Sequence, residues 1–265
     1  AIWTKPVDDV DTADVLALLR PMWGVKAETA RRIRGRIERV LDAARVEGHR
    51  TGENPARWRG HLDMLLPRPA RLTRGHHAAM PYVKLPAFYA DLQSRPAFAA
   101  RALAFLILTA ARSGEVREMT ADELDLKAKV WTVPAERMKA GRPHRVPLCD
   151  EAMAVLDRIR VRQREPSDLV FPSQALTPLS DAALGALLRR MGQADVTPHG
   201  FRSSFRDWAA EETTHSRELA ELSLAHLVGD ETERAYRRGD ALAKRRHLMD
   251  DWARFVASAS GAASR

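Results

Sequence analysis

Four residues in the C-terminal part of the chain could together support a nucleophilic reaction. His199 and Arg202 stand three residues apart, His226 follows, and Tyr236 is one of three tyrosines in the sequence. A phenol becomes a useful nucleophile only beside groups that lower its pKa or stabilise the charge that it creates. Another arginine, Arg112, lies upstream. This set suits attack on a phosphodiester, because its transition state spreads negative charge over the non-bridging oxygens.

The spacing of His199 and Arg202 has a structural consequence. Thr197-Pro198 sets up a helix predicted from about His199 to Glu211, and residues three apart share a helical face. Unpaired backbone N–H groups at the start of that helix add positive potential that favours a phosphate. A buried histidine beside a surface arginine is the competing interpretation, and most tyrosines are packing residues.

Five short segments follow one another at plausible separations, and each is a weak signal by itself. They are Thr109-Ala110-Ala111-Arg112-Ser113-Gly114-Glu115, Arg137-Met138-Lys139, His199-Gly200-Phe201-Arg202, Leu224-Ala225-His226 and Ala235-Tyr236-Arg237-Arg238. In this order they resemble the tyrosine recombinases, also called phage integrases, and most closely the integrases of bacterial prophages and genomic islands. The resemblance covers nearly all of the chain.

The resemblance implies a covalent mechanism on DNA. Tyr236 would attack a scissile phosphate, form a 3′-phosphotyrosine and release a 5′-hydroxyl. Arg112 and Arg202 would clamp the non-bridging oxygens, and His226 would hydrogen-bond the phosphate. The covalent intermediate conserves the bond energy, so a second strand can be joined without ATP. The implied protein is a site-specific DNA recombinase, independent of metal and ATP, that integrates or excises a mobile element.

Three further side chains complete the implied site. Lys139 would act as the general acid for the leaving 5′ oxygen, and His199 would assist proton transfer at the tyrosine. Glu115 would fix the rotamer of Arg112, a supporting role. From the residues without the resemblance, Lys139 would be a solvent-exposed lysine at a hairpin tip, and Arg112 a structural arginine paired with Glu115.

The composition favours a polyanionic partner. The 265 residues carry a formal net charge of +8, and the pI is about 10.1, which points first to nucleic acid. Cys149 is the one cysteine, so an internal disulfide is excluded and a reducing interior fits best. Nucleotide, flavin and metalloprotease motifs are missing, and we expect no cofactor and no metal. We also expect no membrane contact and a cytoplasmic, nucleoid-associated bacterial protein.

The pattern along the chain predicts a mainly α fold with a small antiparallel β-sheet. We expect a helical core-type DNA-binding domain over residues 1–66 and a basic linker over 67–77. A catalytic domain would follow over 78–258, with a disordered tail at 259–265. The chain starts at Ala1 rather than Met, and an arm-binding domain often precedes this point in the family, so we expect that domain to be missing here.

Arginines dominate one side of the predicted second helix, from about residue 27 to 47. Guanidinium groups suit phosphate through their forked donors, although a charged helical face is usually just a solvated one. A third helix is predicted to start at Pro55. The DNA-binding candidates on the helix and in the linker are Arg31, Arg34, Arg36, Arg71 and Arg74.

The second domain is predicted to contain strands over 124–126, 130–133 and 144–148 and a last helix over 241–257. Family members assemble as tetramers on two duplexes, and their C-terminal segments commonly dock on a neighbour. We therefore expect double-stranded DNA as the partner, a homotetramer on DNA and a monomer free in solution, with an accessory directionality factor. The helix over 241–257 is the candidate docking segment.

Three other functions stay open at this point. A type IB topoisomerase has the same cleavage chemistry but relaxes supercoils instead of joining two sites. A non-catalytic DNA-binding protein of the same fold is disfavoured, because all six expected positions carry competent side chains. A metal-dependent nuclease is disfavoured by the lack of clustered carboxylates.

Overall fold

The computed structural model describes residues 2–67, 78–138, 140–229 and 239–261. The chain divides into two compact units, Ala1–Gly75 and His76–Arg265, and each has its own apolar core. The described residues are mainly helical and contain one three-stranded antiparallel sheet, which confirms the predicted fold class. The predicted domain boundaries stay a prediction, because most of the linker lies outside the described ranges.

The first unit is built around two helices, α1 (Thr12–Trp23) and α2 (Ala27–Val46). Asp11 starts α1: its carboxylate accepts from the backbone N–H of Asp14 at 2.9 Å, and the Asp14 carboxylate accepts from that of Asp11 at 3.0 Å. Such a reciprocal cap satisfies two backbone donors that a helix start would otherwise leave unpaired. It fixes where α1 begins.

The predicted third helix is wrong. Residues 54–67 form turns and one short 3-10 helix, Leu62–Met64. Gly60 has a φ of +70°, in the left-handed region that a continuing right-handed helix excludes. The Asn54 side chain bonds to α2: its amide donates to the Glu38 carbonyl at 2.8 Å and to the Asp42 carboxylate at 2.6 Å. These bonds tie the turn to α2.

The second unit surrounds one buried helix and carries the sheet. Its elements are α3 (Leu85–Gln93), α4 (Phe98–Thr109), α5 (Ser113–Arg117), β1 (Leu124–Asp125), β2 (Val130–Val133), β3 (His144–Pro147), α6 (Asp150–Arg158), α7 (Ala183–Arg190), α8 (Gly200–Glu211), α9 (Arg217–Ser223) and α10 (Leu242–Ala257).

Helix α4 is the centre of the second unit. Every residue from Ala102 to Thr109 is buried, as expected of a helix that is apolar on all sides. It ends at Ala110, whose φ is +50°. The left-handed residue turns the chain abruptly, and α5 begins three residues later. The strands are consecutive in the sheet, and Val133 of β2 pairs with His144 of β3.

Helix α10 belongs to the core of its own unit. Trp252 is fully buried, and its indole N–H donates to the Ile107 carbonyl of α4 at 2.8 Å. Its ring packs against Phe205 and Trp208 of α8, with centroids 5.4 and 5.0 Å away. The apolar face of the helix over 241–257 thus packs within its own unit, and docking of this segment on a neighbouring subunit stays a prediction.

We predict that Trp252→Ala lowers the free energy of unfolding of the second unit by about 3–5 kcal/mol, since it removes a buried ring and leaves a cavity. Urea denaturation followed by circular dichroism measures the change. Arg254→Ala is the control: it removes an exposed side chain of the same helix and should cost no more than about 0.5 kcal/mol. Equal losses in the two variants would contradict this description of the core.

Candidate active site

Arg112 is held by one buried carboxylate. It directly precedes α5, and its backbone N–H donates to Glu115 Oε2 at 2.8 Å. Its guanidinium Nη1 donates to the other oxygen, Glu115 Oε1, at 2.7 Å, and Glu115 is 6% exposed. The same side chain thus restrains both the backbone and the rotamer of Arg112. The sequence-based pairing of these two residues is present in the structure.

Arg202 lies in the first turn of α8 and is 4% exposed. Its Nη1 donates to the Ala110 carbonyl and its Nη2 to the Leu224 carbonyl, each at 2.5 Å. Burial, and next the positive charge of Arg112, lower the pKa of the Arg202 guanidinium to about 10. The group therefore remains a cation at neutral pH.

The two guanidinium groups meet at the end of α9. Arg112 Nη2 lies 3.5 Å from the Leu224 carbonyl oxygen that Arg202 also contacts, and 3.4 Å from that of Ala225. Ala225 has a φ of +50°, so the chain turns sharply here. Residues more than one hundred positions apart in the sequence are thereby brought to one place.

His226 joins this pair through its ring nitrogens. Nε2 lies 3.1 Å from Arg202 Nη2, and Nδ1 lies 2.5 Å from Glu221 Oε2. The carboxylate accepts the proton of Nδ1, so Nε2 carries the lone pair that faces the guanidinium; this tautomer is assigned from the bonding pattern. Glu221 also forms an ion pair with Arg206 at 3.0 Å. These contacts orient the imidazole beside Arg202.

His199 is the residue directly before α8, and its side chain is exposed. Its carbonyl accepts from the backbone N–H of Arg202 at 3.1 Å. The two residues therefore occupy the same first turn, as their spacing predicts.

Gly200 lies between His199 and Arg202, and the backbone of another segment packs directly against it. A Cβ at this position would lie 2.3 Å from the Ala78 carbonyl oxygen and 2.9 Å from Ala79 Cα. The same Ala78 carbonyl accepts from the backbone N–H of Thr197 at 3.1 Å. The chain at 78–79 thus crosses directly over the start of α8, where only a glycine leaves room. No local pattern in the sequence reveals this close approach, because the overlapping atoms belong to residues 78 and 79.

Several candidate residues fall outside the described ranges, namely Lys139, Tyr236, Arg71 and Arg74. The residue two before Lys139 is described: Arg137 Nη1 donates to the Glu115 carbonyl at 3.0 Å and its Nη2 forms an ion pair with Glu123. The chain just before Lys139 is therefore bonded to Glu115, the residue that holds Arg112.

The helix α2 candidates differ among themselves. Arg31 and Arg36 are exposed. The side chain of Arg34 is 16% exposed, ion-paired with Glu38 at 2.8 Å, and it donates to the Ala56 carbonyl at 2.7 Å. These contacts give Arg34 a structural role in the first unit.

Two further observations concern other kinds of site. Among the residues that the structure describes, no three His, Cys, Asp or Glu side chains are grouped to hold a metal ion. Within the same ranges, no helix combines the length and the apolar character needed to cross a membrane.

Comparison with known proteins decides the family. Residues 82–241 match the model of the phage integrase family, and residues 1–61 match that of the phage integrase central domain. The chain belongs to the phage integrase family. The resemblance drawn from the five sequence segments is thereby confirmed.

Relatives of this chain include prophage and phage proteins. Prophage integrase IntZ of Escherichia coli (strain K12) is 34% identical over 254 residues, which are 94% of this chain and 60% of IntZ. The integrase of Enterobacteria phage P4 is 29% identical over 276 residues, 96% of this chain and 61% of the phage protein. The chain thus spans about three fifths of the length of these two relatives.

Solved structures share the fold of this chain. A λ integrase (75–356) dimer bound to a COC′ core site aligns with a TM-score of 0.60 at 21% identity, covering 84% of this chain and 81% of that one. The Tn1549 transposon integrase (aa 82–397) in complex with circular intermediate DNA aligns with a TM-score of 0.55 at 15% identity, covering 89% and 87%.

We predict that Gly200→Ala destabilises the protein by about 1–3 kcal/mol, because the new methyl group overlaps a backbone carbonyl that cannot move away as a side chain could. Gly185→Ala in α7 is the control. There the nearest atom to the new Cβ is Arg189 Nη1 at 3.8 Å, and alanine should stabilise the helix by up to about 1 kcal/mol. Thermal unfolding of both variants measures the difference, and equal effects would refute the close crossing.

Proposed function

We propose that this integrase is a site-specific DNA recombinase that cleaves and rejoins strands through a 3′-phosphotyrosine at Tyr236, integrating or excising a mobile element. The observation that carries the proposal is the meeting of Arg112 and Arg202 at the Leu224 carbonyl. Two cations held this close repel each other, and the charge of Arg112 lowers the pKa of Arg202 further, after burial, which is the larger cause. A phosphate between them would relieve that repulsion.

The arginine pair would stabilise the transition state. Each guanidinium would donate to non-bridging oxygens as the phosphorus becomes pentacoordinate and its negative charge grows. Because Glu115 fixes Arg112 and two carbonyls fix Arg202, the donors are in place before the reaction begins. Losing one such preorganised donor typically lowers a rate about 100- to 1,000-fold. His226 would add a hydrogen bond to the same phosphate in its doubly protonated form, with Nδ1–H donating to Glu221 and Nε2–H donating to the phosphate oxygen.

The proton transfers balance with the remaining side chains. His199 would take the proton of the Tyr236 hydroxyl as its oxygen bonds to phosphorus, and Lys139 would give a proton to the 5′ oxygen as its bond to phosphorus breaks. The reverse transfers would accompany attack by the 5′-hydroxyl of another strand. The number of phosphoester bonds is conserved, so neither ATP nor a metal is required.

The other two tyrosines are poor candidates for the nucleophile. The phenol of Tyr82 donates to the carboxylates of Glu212 and Glu211 at 2.8 and 2.9 Å, and these bonds raise its pKa. Burial raises the pKa of Tyr89. Neither phenol ionises readily, which supports the assignment of Tyr236.

The proposed reaction exchanges strands between two duplexes, and this determines the partners that we expect. Double-stranded DNA would bind as the substrate, a homotetramer would assemble on it from monomers, and an accessory factor would bias integration against excision. λ integrase, whose fold this chain shares, has been solved as a tetramer bound to a Holliday junction. With such a substrate, the protein would act at the bacterial nucleoid.

We predict a covalent adduct with a nicked suicide DNA substrate carrying the attachment site, seen on a denaturing gel. It should form in EDTA and be lost in Tyr236→Phe, whereas Tyr82→Phe and Tyr89→Phe should retain it. An adduct of unchanged yield in Tyr236→Phe would place the nucleophile elsewhere. Relaxation of supercoils without tetramer assembly would favour the topoisomerase alternative, and DNA binding with no adduct would favour the non-catalytic one.

We predict that Arg31→Ala/Arg36→Ala reduces the slope of log K against log salt for duplex binding by about 1.8, since each lost phosphate contact removes roughly 0.9. A fluorescence anisotropy titration at several salt concentrations measures it. Arg162→Ala/Arg254→Ala removes the same charge from two exposed side chains of the second unit and should leave the slope unchanged. An equal reduction in both variants would mean that net charge, and not contact by α2, is responsible.

A further inference from the structure

Asp240 is the first carboxylate after Tyr236 in the sequence, and two arginines hold it. Arg145 of β3 donates with Nε to Asp240 Oδ2 at 2.9 Å and with Nη2 to Oδ1 at 2.7 Å, a two-bond pairing. Arg245 of α10 donates with Nη2 to Asp240 Oδ2 at 3.1 Å and with Nε to the Asp240 carbonyl at 2.7 Å. We call Arg145, Asp240 and Arg245 the clasp.

The clasp is partly buried, so its charged groups depend on one another as partners. Arg245 is 1% exposed, and its Nη1 donates to the Arg145 carbonyl at 2.8 Å. Burial opposes ionisation of Asp240, but the bonds from Arg145 and the charge of Arg245 hold the pKa of its carboxyl below the usual value. A charge as buried as that of Arg245 is tolerated only with a partner. The backbone at Asp240 is thus joined to both β3 and α10.

The same strand also lies close to the chain that precedes Tyr236. His144 directly precedes Arg145, and its ring is near the backbone of Ser223, next to Leu224. Burial, and next the charge of Arg245, lower the pKa of His144 to about 4, so the ring is neutral at working pH. Strand β3 therefore lies near the chain just before the Leu224 carbonyl and is bonded to the chain at Asp240, four residues after the tyrosine.

We propose that Arg145 and Asp240 are positioning residues for the nucleophile: through the clasp, they fix the chain four residues after Tyr236 to β3. The proposal rests on the proposed function, in which Tyr236 attacks the phosphate. Four residues span at most about 14 Å, so a fixed Asp240 limits the volume in which the phenol can lie. Holding a reacting group near its target raises the rate without any contact with the substrate.

The test uses Arg145→Ala in the full chain. The Arg145 side chain is 51% exposed, and Arg245 keeps Asp240 as its partner, so the variant should fold. We expect the single-turnover rate of adduct formation on saturating suicide substrate to fall about tenfold, with the Kd for uncleaved duplex within about twofold of the original. Arg145→Lys keeps the charge and should recover part of the rate. Arg162→Ala, which breaks an exposed pair with Asp157, should leave the rate unchanged.

A second measurement does not depend on activity. Trypsin cleaves after arginine, and Arg237 and Arg238 lie between the nucleophile and the clasp. If the clasp restrains this stretch, Arg145→Ala should be cut there about tenfold faster under native conditions, because cleavage follows the population of the opened chain. Arg162→Ala should be cut at the original rate.

The outcomes separate the two proposals. An unchanged rate of adduct formation in Arg145→Ala would overturn the positioning role. A fall in rate at subsaturating DNA that is matched by an equal rise in Kd would also overturn it, because Arg145 would then be a DNA contact. If the unaltered protein forms no adduct, the proposed function fails, and the nucleophile role of the clasp fails with it. Faster trypsin cleavage of Arg145→Ala in that case would mean that the contact between Arg145 and Asp240 has only a structural role.

Discussion

One backbone oxygen, that of Leu224, holds the candidate site together. It accepts from Arg202 at 2.5 Å and lies 3.5 Å from Arg112 Nη2, so two cations converge where a neutral dipole offers little compensation. The charges of Glu115 and Glu221 oppose the effect of burial on Arg202 and favour its protonated form. The Arg112 side chain remains 28% exposed beside these groups, and the proposed phosphate clamp requires such access.

Backbone geometry places that oxygen. Arg202 is located by carbonyls from Ala110 at the end of α4 and Leu224 at the end of α9. Ala110 and Ala225, the residue after Leu224, both have a φ of +50°. This left-handed conformation costs a residue with a side chain roughly 1–2 kcal/mol. Strain of this kind tends to collect at functional sites. The buried core around α4 is what maintains it.

Local patterns were enough to predict some features and not others. The alternating residues of β2 and β3 predicted the sheet, and the spacing of Arg112 and Glu115 predicted their ion pair, because both depend on near neighbours. The clash at Gly200 could not be predicted, since it comes from residue 78 across the fold. The helix expected at Pro55 failed at the positive φ of Gly60. The place of α10 depended on contacts with distant helices that its own apolar stripe cannot identify.

The most direct test of the arginine clamp removes the charge from the DNA instead of from the protein. A suicide substrate with one non-bridging oxygen of the scissile phosphate replaced by a methyl group has no charge for the arginines to neutralise. If Arg112 and Arg202 act by charge stabilisation, Arg112→Ala and Arg202→Ala should lower adduct formation about 100- to 1,000-fold on the phosphate and far less on one isomer of the methylphosphonate. The same loss on both substrates would contradict the account, because it would mean that the arginines maintain the structure and do not bind the reacting group.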